Sequence, residues 1–215
     1  MKKSLLMGNL FLAMFAVWTT LIQSVDVQPL GQNGTNIGFA TFNCWFHHFT
    51  GANVAIYTIT DWMGLVPAII CLIFAGIGLV QLIQRRSLFR VDADILILGV
   101  YFVIVFLAYA IFETIPINYR PILIEGRMEA SYPSSTTLLV LSVMPALIEQ
   151  IQRRLSGIGV KRIITIAAIA FSVFMVTGRL ISGVHWFTDI VGGVLLSAGL
   201  FQLYKAAAML ALKEK

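Results

Sequence analysis

An imidazole and a carboxylate lie four residues apart near the C-terminal end of the sequence, at His185 and Asp189. Residues at positions i and i+4 share one face of a helix, so the carboxylate could accept the imidazole Nδ1–H. The other ring nitrogen would then be free to act as a nucleophile that the acid orients. Alternatively, His185 is an interfacial residue beside Trp186.

Three arginines occur in the connections around this pair, at positions Arg120, Arg127 and Arg179. Arginine stays protonated and offers a planar fork of donors that matches phosphoryl oxygens. Taken singly, Arg120 or Arg127 is an anchor for lipid headgroups, and Arg179 is a cation at a helix end. Together with an imidazole and a carboxylate at nearly one membrane depth, the three cations indicate a phosphate site at which His185 attacks phosphorus.

Ser134, Ser135 and Thr136 follow Pro133, a pattern typical of a helix start. Free backbone N–H groups and the helix dipole make such a start an anion site. The alternative is an N-cap with no further role. We therefore expect these three residues to bind substrate if the helix begins beside the arginines.

The composition requires a lipid environment for these residues. Hydrophobic residues make up 59% of the chain and charged residues 12%, and the mean hydropathy is +0.88. These values exclude a soluble globular protein, a disordered chain and a coiled coil. We expect an all-α integral membrane bundle that forms one domain over residues 1–215.

Apolar runs of about 20 residues, the length of one span, predict six transmembrane helices. They lie at 4–24, 62–84, 93–115, 135–152, 162–178 and 187–208. The first run lacks a signal-peptide cleavage site, so we expect it to be retained. The segment 25–61 is rich in aromatic residues and is expected along the outer interface, either as an aromatic belt or as a lid.

The positive-inside rule orients the bundle. Of the 15 Lys and Arg residues, 12 fall on one side of the predicted topology. These are Lys2, Lys3, Arg85, Arg86, Arg90, Arg153, Arg154, Lys161, Arg162, Lys205, Lys213 and Lys215. Both termini are therefore expected in the cytoplasm and the site on the outer face of the cell membrane. Because the basic residues form separate juxtamembrane clusters, the net charge of +5 indicates no nucleic-acid partner.

Three stretches resemble the motifs of the type 2 phosphatidic acid phosphatase family. The family patterns are Lys-x6-Arg-Pro, Pro-Ser-Gly-His and Ser-Arg-x5-His-x3-Asp. This sequence has ETIPINYRP at 113–121, PSST at 133–136 and GRLISGVHWFTD at 178–189. The three stretches occur in the same order as the family motifs, with similar spacing, in a chain with six predicted helices.

The resemblance implies a metal-independent phosphatase without a cofactor, acting on a lipid phosphate within the membrane. His185 would form a phosphohistidine and Asp189 would hold it. Arg120, Arg179, Ser134 and the backbone around Ser135 would bind the phosphoryl group, with Thr136 in the position of the second-motif histidine.

Departures from the family patterns include Glu113 in place of Lys, Gly178 in place of Ser and Thr136 in place of His. The missing histidine would protonate the leaving oxygen, and a threonine hydroxyl is too weak an acid to do so. Because a phosphate leaves without a proton more readily than an alkoxide, we expect a preference for a lipid diphosphate such as a polyprenyl diphosphate. Glu113, Glu125, Glu129, His47 and His48 remain candidates for a substitute acid, and Arg127 for the missing first-motif cation.

Two other functions are compatible with the residues. A catalytically degenerate relative would bind lipid phosphate without hydrolysing it, which Thr136 would explain. A small anion transporter would need ionisable residues deep within the spans, where only Asp94 and Glu149 occur, near the predicted cytoplasmic ends. The sequence indicates no oligomeric state.

Overall fold

The computed structural model describes residues 1–211, and this part of the chain folds into eight α-helices. The helices are α1 (Lys2–Ile22), α2 (Ala40–Thr50), α3 (Val54–Met63), α4 (Leu65–Arg85), α5 (Ala93–Thr114), α6 (Ser135–Arg154), α7 (Ile158–Ile181) and α8 (Phe187–Ala211). The predicted cytoplasmic residues Lys213 and Lys215 lie outside the described residues.

Five stretches of the described chain are long and apolar enough to cross a membrane: α1, α3 together with α4, α5, α7 and α8. The prediction of an all-helical protein with several spans is confirmed. The count of six is not, because α6 covers the predicted fourth span but carries polar residues in both its first and its last turns. Since α6 packs against α4, α5, α7 and α8, much of its surface meets protein rather than lipid.

Helix α8 lies at the centre of the bundle, in contact with α1, α5 and α6. Two glycines allow this close packing at its N-terminal end. A Cβ atom at Gly192 would lie 2.4 Å from Cε2 of Tyr132, and one at Gly193 would lie 3.0 Å from Cβ of Thr137. Only glycine therefore lets the segment before α6, and the first turn of α6, pack directly on α8.

The structure differs from the sequence-based expectation for the last part of the segment 25–61. Residues from Val54 onward form α3, which continues into α4 across Gly64 and extends the second span. Helix α3 packs against α7, and a Cβ atom at Gly178 would lie 2.6 Å from Cγ2 of Thr60. The glycine that replaces the third-motif serine thus allows α3 to approach the end of α7.

Candidate active site

His185 lies in the turn between α7 and α8 and is 2% exposed. Its Nδ1 is 3.1 Å from the backbone carbonyl oxygen of Ser131. A carbonyl can only accept a hydrogen bond, so the proton lies on Nδ1 and Nε2 carries the lone pair. Nε2 is buried and has no hydrogen-bond partner among the described residues. The imidazole is thus held by Nδ1, and the lone pair of Nε2 is left unbonded.

The expected hydrogen bond between His185 and Asp189 is corrected by the structure. Asp189 Oδ2 is 3.8 Å from His185 Nδ1, close enough for an ion pair but too far for a hydrogen bond. The reason is that His185 precedes α8, so the two side chains do not share a helix face. The proximity was predicted correctly, whereas the partner of the Nδ1–H group was not.

Asp189 instead fixes the turn that carries the histidine. Its carboxylate accepts the backbone N–H of Trp186 at 2.9 Å and the side-chain amide of Asn118 at 3.4 Å. A carboxylate in the first turn of a helix that bonds back to the N-cap N–H stabilises the helix start. The Asp189 carbonyl also accepts the N–H of Ser134 at 3.0 Å, so it joins the start of α8 to the start of α6.

The electrostatic environment keeps His185 neutral. Burial lowers the pKa of His185 well below its ordinary value of 6.5, and the positive charges of Arg120 and Arg179 lower it further. Desolvation and like charges both disfavour the imidazolium. At neutral pH the side chain therefore has the protonation state that a nucleophile needs.

Two buried guanidinium groups share one aromatic ring beside the histidine. Cζ of Arg179 lies 5.1 Å from the centroid of the Tyr57 ring, and Cζ of Arg120 lies 5.9 Å from it. Both distances are within the range of cation–π attraction. Tyr57 of α3 thus contacts both Arg120, which follows α5, and Arg179, which lies at the end of α7.

Each arginine also lies next to one carboxylate. Nη2 of Arg179 is 3.4 Å from Oδ1 of Asp61, and Nε of Arg120 is 3.1 Å from Oε2 of Glu129. Four buried donors have no hydrogen-bond acceptor among the described residues, namely Nε and Nη1 of Arg120 and Nε and Nη1 of Arg179, so Glu129 contacts Arg120 by charge and not by a hydrogen bond. Buried charged donors normally have acceptors. Their arrangement around a neutral imidazole fits an anionic ligand with several oxygens.

The predicted helix start at Ser134, Ser135 and Thr136 is confirmed. Ser134 is the N-cap of α6, where its hydroxyl accepts the N–H of Thr137 at 3.5 Å. Ser135 and Thr136 form the first turn, and Thr136 is 8% exposed. The N-cap interpretation therefore holds, and the backbone contact with Asp189 joins this start to the turn that carries the histidine. The hydrogen bonds of the described chain include none from Ser135 or Thr136 to either arginine.

Several residues of this site were missed by sequence reasoning. Tyr57 and Asp61 of α3 contact the arginines, while Ser131 and Asn118 hold the histidine and Asp189. The only sequence signal for the first pair is the i, i+4 spacing of a tyrosine and an aspartate. That spacing predicts a shared helix face but not what the face contacts.

The candidate substitute acids lie in different surroundings. Glu129 is the carboxylate beside Arg120, and Glu113 lines a small cavity with Ser131 and Ser135. His47 Nε2 lies 3.1 Å from the carbonyl oxygen of Gly183, so its proton is committed to that bond. Glu125 lines an outer groove that also contains Tyr57 and Asp61. For His48 and Arg127 the described contacts include no side-chain partner.

Metal-ligand side chains do not cluster in the described part of the chain: no group of three or more His, Cys, Asp or Glu residues could hold a metal ion.

Comparisons with known proteins agree with the motif resemblance. The family model of the PAP2 superfamily matches residues 68–210, a range that includes all three motifs and excludes α3 with its Tyr57 and Asp61. The fold is similar to the crystal structure of a transmembrane PAP2 type phosphatidylglycerolphosphate phosphatase from Bacillus subtilis, with a TM-score of 0.66 and 17% identity over 93% of this chain and 94% of that chain. A search of curated proteins found no significant match. Since the family match spans more than half of the 215 residues, this multi-pass membrane chain belongs to the PAP2 superfamily.

Proposed function

We propose that the protein is a membrane phosphatase that hydrolyses a lipid phosphate or diphosphate through a phosphohistidine at His185. Membership of the PAP2 superfamily and the fold shared with a phosphatase support the reaction class. The observation that carries the proposal is a buried imidazole whose Nε2 has no hydrogen-bond partner and whose pKa is lowered by the charges of Arg120 and Arg179, two arginines that themselves have unpaired buried donors. A phosphoryl group supplies both the electrophile and the acceptors that this arrangement lacks.

In the first step, Nε2 of His185 attacks phosphorus, a P–N bond forms, and the bond to the leaving oxygen breaks. The imidazole becomes positively charged in this step because Nδ1 keeps its proton. The Nδ1–H group still donates a hydrogen bond to the Ser131 carbonyl. Asp189, 3.8 Å from Nδ1, stabilises that charge. Arg120 and Arg179 stabilise the phosphoryl oxygens in the transition state.

In the second step, water attacks the phosphorus of the phosphohistidine. A P–O bond to the water oxygen forms and the P–N bond breaks. Both protons of the water leave with the inorganic phosphate, and the neutral imidazole with its proton on Nδ1 is regenerated. The free backbone N–H groups of Ser135 and Thr136 at the start of α6 bind the same phosphoryl group. Ser134 supports them as the N-cap residue, because its own N–H donates to the Asp189 carbonyl. No cofactor is required by these steps.

The residue at position 136 bears on the choice of substrate. An alkoxide is the conjugate base of an acid whose pKa is near the roughly 15.7 of water, whereas the second pKa of a phosphate is about 6. Loss of a general acid lowers the rate by a factor of about 10² to 10⁴ when the product is an alcohol. A departing phosphate needs no such help, so Thr136 favours a lipid diphosphate, with a polyprenyl diphosphate as the preferred class.

The topology of the proposal has six spans, with α6 as the fourth. The polar residues of α6 face neighbouring helices, which supports a span that composition does not identify. The basic residues Arg85, Arg154 and Lys161 lie at helix ends opposite the site, so the positive-inside rule supports an extracytoplasmic site and a cytoplasmic N-terminus in the cell membrane.

The test is phosphate release by the purified protein from a panel of lipid monophosphates and diphosphates without added metal. We expect faster release from diphosphates, with His185→Ala inactive and a phosphorylated His185 trapped on rapid acid-free denaturation. Phosphate release that persists in His185→Ala would refute the mechanism.

The second candidate is a lipid-phosphate-binding protein without activity, which Thr136 in place of a general acid favours. Binding of the diphosphates with neither phosphate release nor a phosphoenzyme would establish this function instead. Equal turnover of monophosphates and diphosphates would contradict the substrate preference while leaving the enzyme assignment intact.

A further inference from the structure

The two carboxylates beside the arginines differ from them in exposure. The side chain of Arg179 is 1% exposed, while that of its partner Asp61 is 55% exposed. The side chain of Arg120 is 9% exposed, and that of Glu129 is 36% exposed. The cations are thus fixed inside the protein, and the anions reach them from the solvent side.

The pairs leave much of each guanidinium unused. Asp61 contacts Nη2 of Arg179 at 3.4 Å, whereas Nε and Nη1 of the same arginine are buried without an acceptor. Glu129 lies near Nε of Arg120, and Nη1 of that arginine has no acceptor. A pair that served only to anchor the arginine would be expected to use these donors. The free donors point to a second anion that binds beside each carboxylate.

A ligand in this position meets opposing charges. Two guanidinium groups and two carboxylates sum to no net charge when all four are ionised, so the site does not attract an anion by charge alone. An incoming phosphoryl group gains the unpaired donors but is repelled by both carboxylates.

We propose that Asp61 and Glu129 are specificity-determining residues that compete with the phosphoryl group for Arg179 and Arg120 and so weaken the binding of small anions. The inference rests on the proposed phosphate site. Inorganic phosphate either displaces the two carboxylates or binds beside them, and it has no lipid chain that would hold it at the site. A lipid substrate is held in the bilayer by its chain, so its phosphoryl group is presented to the site at a high effective concentration. The carboxylates thus disfavour retention of the product phosphate.

The test measures binding of inorganic phosphate to the purified protein by isothermal titration calorimetry at pH 8. Asp61→Asn keeps an oxygen that accepts the Arg179 hydrogen bond and removes only the negative charge. Glu129→Gln likewise removes only the negative charge beside Arg120 and keeps the size of the side chain. We expect each variant to bind phosphate about twofold to tenfold more tightly, the range that corresponds to the loss of one partly exposed ion pair.

Asp26→Asn is the matched control. Asp26 follows the outer end of α1, and its carboxylate accepts hydrogen bonds from the Thr41 N–H and the Gln28 amide rather than from an arginine. Asp26→Asn removes one negative charge, as Asp61→Asn does, but it does so away from the arginines. We therefore expect the affinity for phosphate to be unchanged. Equal tightening in this control would mean that long-range charge, and not competition, sets the affinity.

The direction of the change separates competition from anchoring. If the carboxylates only hold the arginines in place, both variants bind phosphate more weakly or equally well, and the inference is overturned. Two variants on different helices and loops guard against a local folding defect in one of them. If the wild-type protein neither binds phosphate nor hydrolyses any lipid phosphate, the proposed function is contradicted as well. If the wild-type protein hydrolyses lipid phosphates but neither variant binds phosphate more tightly, only this inference is contradicted.

Discussion

Replacing Thr136 by histidine should restore a proton donor for the leaving oxygen. Thr136 lies in the first turn of α6, 8% exposed, and the N-cap of that helix is bonded to the Asp189 carbonyl at 3.0 Å. The position is therefore fixed relative to the turn that carries His185. Because the family pattern has histidine here, we expect Thr136→His to increase hydrolysis of lipid monophosphates selectively.

The size of the gain follows from the leaving group. A general acid contributes about 10² to 10⁴ when an alkoxide departs and little when a phosphate departs. The diphosphate-to-monophosphate ratio of kcat/KM should therefore fall by about 10² or more. The helix N-terminus and both arginines disfavour an imidazolium, so they should lower the pKa of the new histidine below the ordinary value of about 6.5. Only the protonated form donates, and the gain should therefore shrink as pH rises above about 6.

The assay measures phosphate release from a monophosphate and a diphosphate of the same lipid alcohol between pH 5 and pH 8. Thr136→Val is the control for loss of the hydroxyl, and His185→Ala in the Thr136→His background should remain inactive. The larger side chain at a buried position should cost about 1 to 3 kcal/mol of stability, which thermal unfolding measures. A folded variant whose monophosphate rate is unchanged at every pH would refute this reasoning.

Three further outcomes are expected. Tyr57→Leu should raise KM about twofold to tenfold through loss of cation–π attraction, and Tyr57→Phe should not, as steady-state kinetics would show. Below pH 6.5, His185 is protonated in the unfolded chain but stays neutral in the folded protein, because its pKa is lowered there. The free energy of unfolding should therefore decrease as the pH falls below 6.5. The decrease in melting temperature with pH should be smaller in His185→Gln. Gly178→Ser should destabilise the protein by about 1 to 3 kcal/mol through contact with Thr60, and Thr60→Ser, which removes the contacting methyl group, should restore the melting temperature.

The sequence predicted the local parts of the site better than its long-range contacts. Apolar runs placed the helices within a few residues, and the spacing of Arg179, His185 and Asp189 identified the turn between α7 and α8. The partner of the Nδ1–H group could not be read from that spacing, because it depends on where α8 begins. The predicted fourth span is not among the helices that are apolar enough to cross a membrane, because α6 carries polar residues and packs against four other helices.

The contribution of α3 could not be predicted from sequence for another reason. Asp61 and Arg179 are separated by 118 positions, and their contact depends on the packing of α3 on α7. That packing depends in turn on Gly178, where a Cβ atom would meet Thr60 at 2.6 Å. The departure from the family pattern at position 178 therefore has a structural reason that only the contact between the two helices reveals.

Two departures from the family pattern favour the same substrate class by different physical routes. Thr136 removes a proton donor, which selects a leaving group that is already a stable anion. Asp61, which approaches Arg179 because residue 178 is glycine, is proposed to compete with the bound phosphoryl group. A diphosphate has more oxygens than a monophosphate for the donors that Asp61 leaves unpaired, so it should be less affected by this carboxylate.

The two routes can be separated because they act on different kinetic constants. Thr136→His should reduce the diphosphate preference through kcat for the monophosphate, since protonation occurs only as the leaving oxygen departs. Asp61→Asn should reduce it through KM, since the carboxylate opposes the monophosphate in the bound state as well as in the transition state. The double variant should therefore combine a higher kcat with a lower KM. A kcat change in Asp61→Asn with KM unchanged would mean that Asp61 acts in the chemical step and not in binding.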